Sequence, residues 1–91
     1  MKISKLAAYK KKELRSQLIE VVEKLGYTVI VDKGDFSNGS CKVYDDRRVV
    51  INRFLPVDVH IEFLLNFLKS CDLEGIYILP SIRKLIEEHD R

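Results

Sequence analysis

The chain has 91 residues, 46% hydrophobic and 33% charged, with a formal net charge of +2. That length fits one domain with a modest core, and the composition is that of a globular chain and not a disordered one. No apolar run approaches the roughly 20 residues of a membrane span, so no membrane partner is expected.

The N-terminal stretch is too interrupted by charge for a secretory signal. Cys41 and Cys71 are the only cysteines. A small secreted domain needs more of them at closer spacing, so both are expected to be free thiols in a cytoplasmic protein. Charge is uneven. Lys2, Lys5, Lys10, Lys11, Lys12 and Arg15 against Glu13 give residues 1–15 a charge of +5. Residues 72–91 carry −2, from Asp72, Glu74, Glu87, Glu88 and Asp90 against Arg83, Lys84 and Arg91.

The first helix is predicted from about Ser4 or Ala7 to Leu25, because Leu14, Leu18, Val21, Val22 and Leu25 form one helical stripe. Gly26 is placed to end it in a left-handed turn. Residues 27–32, YTVIVD, read as a β-branched strand. Residues 33–39 read as a loop. Residues 40–44 and 48–52 flank Asp45-Asp46-Arg47 as a β-hairpin, with Cys41, Val43, Val49 and Ile51 facing inward. Short connections suggest a three-stranded antiparallel meander covered by helices.

Residues 56–70, PVDVHIEFLLNFLKS, are predicted to form the central helix. Val57, Ile61, Leu64, Leu65 and Leu68 make one face, and Val59, Phe63 and Phe67 a second apolar flank. So broad an arc calls for cover on two sides, from a sheet, a helix or a second copy. Residues 76–79 are a short strand or a buried extended link. Pro80 and Ser81 open a last helix with Ile82, Leu85, Ile86 and His89 on one face. The expected architecture is a single small α+β domain over residues 1–91, in the order α-β-β-β-α-(β)-α.

Four chemistries bear on these residues. The loop from Gly34 to Cys41 has the glycines and hydroxyls of an anion nest, but no helix starts behind it, and an ordinary turn explains it. A hairpin followed by a helix bearing His60 and Glu62 resembles, in layout alone and over residues 40–70, small zinc peptidases of the ImmA type. Such enzymes need His-Glu-x-x-His; here Ile61 follows His60 and Leu64 stands four residues on, so no metal or other cofactor is expected and His60 reads as a partly exposed helix residue. Cys41 as a nucleophile needs His60 or His89 beside it. Lys10, Lys11, Lys12, Arg15, Arg47 and Arg48 are the candidate phosphate contacts of a nucleic-acid reading, but the paired aromatics of a single-strand platform are missing.

The favoured expectation is a non-enzymatic binding or protein-interaction module, self-associating as a dimer or meeting another protein. Its candidate ligand or partner surface comprises Phe36, Asn38, Cys41, Phe54, Phe63 and Phe67. Nucleic-acid binding and a Cys41-dependent enzyme are the alternatives.

Overall fold

The computed structural model describes residues 5–32 and 41–89. Helix α1 (Ala8–Lys24) buries Leu14, Leu18, Val21 and Val22, the stripe its spacing predicts. It stops at Gly26, whose φ of +95° lies in the left-handed region. The chain reverses there into β1 (Thr28–Asp32), so β1 runs back beneath α1. The hairpin strands are β2 (Lys42–Tyr44) and β3 (Arg48–Asn52). Its turn closes with Arg47 at φ +61°, the left-handed position that three-residue hairpin loops use. No glycine stands there. Instead the Arg47 guanidinium donates to the Leu25 carbonyl at 3.2 Å and lies 5.5 Å from the centre of the Tyr27 ring.

Helix and strand content give the expected α+β class, but the sheet corrects the antiparallel meander. Its order is β1-β3-β2. β3 is antiparallel to β2 and parallel to β1, with Thr28 opposite Arg48 and Asp32 opposite Asn52. The reason lies in β3 itself. Val49, Val50 and Ile51 are all buried, so this strand is apolar on both faces and belongs in the middle. β2, with Lys42 and only three residues, suits an edge.

Helix α2 (Val57–Lys69) follows β3 and runs back across the sheet parallel to α1. Pro56 stands just outside the helix, and its carbonyl accepts from the amides of Val59 and His60 at 3.0 and 3.3 Å. Most of the broad arc is covered within the chain, although Val59 on its flank is 42% exposed. Ile61, Leu64, Leu65 and Leu68 are fully buried, and Phe63 and Phe67 pack half-buried against the same core. Phe67 meets Tyr27 edge-on, with ring centres 5.1 Å apart. α1, the sheet and α3 (Pro80–Glu88) supply the cover. Residues 76–79 form an extended link, with Ile78 buried and Tyr77 and Leu79 exposed. Lys69 donates to the carbonyls of Glu87, at 3.4 Å, and His89. α2 thus brings a cation to the negative end of α3, whose own last turn has none.

Candidate functional site

The two parallel helices start at the end of the sheet where β1 and β3 finish. Lys11 pairs with Asp58 at 2.9 Å there, joining α1 to α2. Beneath that pair lies His60, 1% exposed, which overturns the expectation of a partly exposed residue. Its Nε2 is 2.7 Å from the Asn52 carbonyl, and its Nδ1 is 3.0 Å from an Arg15 guanidinium nitrogen. A guanidinium only donates, so Nδ1 accepts and Nε2 carries the proton. One imidazole therefore joins three elements: α2, the end of β3 and α1.

That arrangement bears on Cys41. Both ring nitrogens of His60 are engaged, leaving neither to take a thiol proton. His89 lies elsewhere, its Nε2 2.9 Å from Asn66 and 3.4 Å from Glu62. Burial pushes the Cys41 thiol above its ordinary value, against a smaller opposing pull from a hydrogen bond to the Asn52 backbone. A protonated, half-buried thiol without a base packs as a small apolar side chain. Burial likewise raises Cys71, against a hydrogen bond from Ser70. Surface hollows of about 410 and 380 Å³ share Cys71, and no histidine lines either. Among the described residues no group of His, Cys, Asp and Glu side chains could hold a metal ion.

The candidate phosphate contacts do not converge. Lys10, Lys11, Lys12 and Arg15 sit in the first half of α1, while Arg47 lies against its far end at Leu25. Lys11 is engaged by Asp58 and Arg15 by His60, Arg47 by Leu25 and Tyr27, and Arg48 by Asp46 at 3.4 Å and by the Tyr44 ring at 4.3 Å.

The candidate partner residues are also scattered. Phe54 is 70% exposed in the turn after β3, with Arg53 over its ring at 5.2 Å. Cys41, Phe63 and Phe67 pack against the core. Phe36 and Asn38 lie outside the described residues.

Among the exposed apolar side chains, which include Tyr9, Val59, Tyr77 and Leu79, two are neighbours on β1. Ile30 is 36% and Val31 46% exposed. β1 has a strand on one side only among the described residues. The Thr28 amide donates to the Arg47 carbonyl and the Asp32 carbonyl accepts from Arg53, both at 2.9 Å, so Thr28, Ile30 and Asp32 turn their backbone groups toward β3. By alternation, Val29 and Val31 turn theirs to the open edge. β2 is a short edge with a lysine, a guarded form; β1 has five residues, TVIVD, with no proline or lysine and a single charge at its end. A run of four β-branched residues bounded by one acid carried that signal in the sequence.

Comparison with family models, with curated proteins and with solved structures finds no match to this chain. No helix among the described residues is long and apolar enough to cross a membrane.

Proposed function

We propose that this chain is a small non-enzymatic interaction module that works by strand pairing at the open edge of β1, and that it self-associates through that edge. The observation that carries the reading is the contrast between the two edges of one sheet: β2 is short and lysine-guarded, while β1 is longer, β-branched and unguarded, with Val31 nearly half exposed. Strand addition needs two things, a row of outward backbone donors and acceptors and alternate side chains to pack on the partner, and β1 offers both. A cytoplasmic setting belongs to the same proposal, supported by the free thiols of Cys41 and Cys71.

An edge this short buries less than a standard interface, so the association is weak and reversible. Light scattering over a wide concentration range tests it. The apparent mass rises toward that of a dimer for the parent chain and stays at the monomer for Val31→Lys, with the same circular dichroism in both. A parent chain that remains monomeric at high micromolar concentration overturns the proposal.

A further inference from the structure

Resting on that reading, we infer that two copies pair β1 to β1 antiparallel, in one register, with the two-fold axis at Ile30. The backbone fixes this choice. Val29 and Val31 face the open edge, so they must form the hydrogen-bonded pairs, Val29 of one copy opposite Val31 of the other. Ile30 then meets Ile30 as a close, non-hydrogen-bonded pair on the opposite sheet face. Thr28 stands opposite Asp32, so no like charges oppose one another. A two-fold at Val29 or Val31 would make only one such hydrogen-bonded valine pair in place of two.

The flank of α1 supports the same axis. Lys12, Ser16, Ile19 and Glu23 recur at i, i+4, i+7 and i+11, a second stripe on this helix. α1 turns its Gln17 and Lys24 side to residues 77–82, and Lys11 and Arg15 reach α2, which leaves the Lys12–Glu23 stripe on the side of β1's open edge. Under an antiparallel two-fold, Lys12 of each copy faces Glu23 of the other, with the small Ser16 between them. Adjacent helices need axes roughly 8–10 Å apart, whereas adjacent strands lie about 4.8 Å apart. The pairing therefore requires α1 to sit inboard of the edge. Val31 shows that offset: it lies on the helix side of the sheet, in register with the buried Ile51, yet is 46% exposed.

Cysteine cross-linking and charge reversal test the register in the full chain. Under mild oxidation Ile30→Cys forms a disulfide-linked dimer, mapped to position 30 by mass spectrometry, because non-hydrogen-bonded pairs bring Cα atoms to about 4.5 Å. Val31→Cys does not link to itself, since its two copies stand roughly 8 Å apart in this register. Lys12→Glu and Glu23→Lys each weaken association about three- to tenfold, and combining them restores it to within about twofold of the parent. A dimer that does not link at position 30, or whose charge reversals fail to compensate, overturns the register and leaves edge pairing standing. A chain that never associates overturns both.

Discussion

Replacing His60 by leucine keeps an apolar side chain of similar bulk and removes both polar bonds, which isolates what the imidazole does. The Asn52 carbonyl keeps the Leu55 amide at 3.1 Å but loses a 2.7 Å donor, at a position where the histidine is 1% exposed. Removing one of two hydrogen bonds to a buried carbonyl costs roughly 0.5–1.5 kcal/mol. Arg15 loses an acceptor as well, but that bond is only part-buried, and the guanidinium can turn to solvent at a fraction of the cost. The net loss expected for His60→Leu is about 1 kcal/mol, a fall in melting temperature of about 4–8 °C for a domain of this size. His60→Gln keeps an N–H for the carbonyl and recovers part of the loss. Arg15→Met costs about 1 kcal/mol or less. The Arg15→Met/His60→Leu pair costs less than the two singles together, by at least roughly 0.5 kcal/mol, because the second change removes a bond already broken. Urea unfolding with an unchanged slope is the assay. A His60→Leu chain within about 0.5 kcal/mol of the parent, or strict additivity with Arg15→Met, would refute the idea that this imidazole joins the three elements.

Two further outcomes follow from the geometry. Both thiols are raised by burial, so near neutral pH Cys41 and Cys71 react with iodoacetamide more slowly than in the urea-unfolded chain. The unfolded chain gives up these protons first, so their contribution to stability is present below the ordinary thiol value of 9.0 and is lost as pH rises through the higher folded values; unfolding midpoints that rise over that range would contradict it. Gly26→Ala must hold φ near +95°, although its Cβ would meet nothing closer than Arg47 Nη1 at 3.5 Å. The cost is therefore backbone strain of about 1 kcal/mol, and thermal melts should show it without any change in the folded spectrum.

Helix and strand positions were legible because each rests on a local rule. The Leu14–Leu18–Val21–Val22 stripe, Gly26, the Asp45–Arg47 turn and Pro56 are signals within a few residues of what they specify; β3 and α2 fall within two residues of their expected bounds, and α1 does so for a start at Ala7 but not at Ser4. The antiparallel meander fails because short connections carry no information on burial. Residues 33–41 are long enough to carry the chain past one strand position, and the uninterrupted Val49-Val50-Ile51 run marks a strand covered on both faces. His60 was misjudged for a related reason. A lone histidine on an apolar helix has no periodic signature for its partners, and Arg15 and Asn52 are 45 and 8 residues away.

Strand order also sets which side chains of the sheet stay exposed. A helix with apolar residues over most of its circumference leaves greasy surface bare where no other element lies on it; here the end of β3 meets His60, Tyr27 meets Phe67 and α3 meets Lys69, while Val59 stays 42% exposed. A sheet of three strands has the opposite geometry. However well its faces are covered, it keeps two edges, and packing on a face satisfies none of the backbone groups at an edge. Strand order decides which sequence is left there. Putting β3 in the middle consumes the strand with buried residues on both faces and sends TVIVD to the rim, with the backbone groups of Val29 and Val31 turned to the edge. The exposure of Ile30 and Val31 thus follows from strand order and not from hydrophobicity alone.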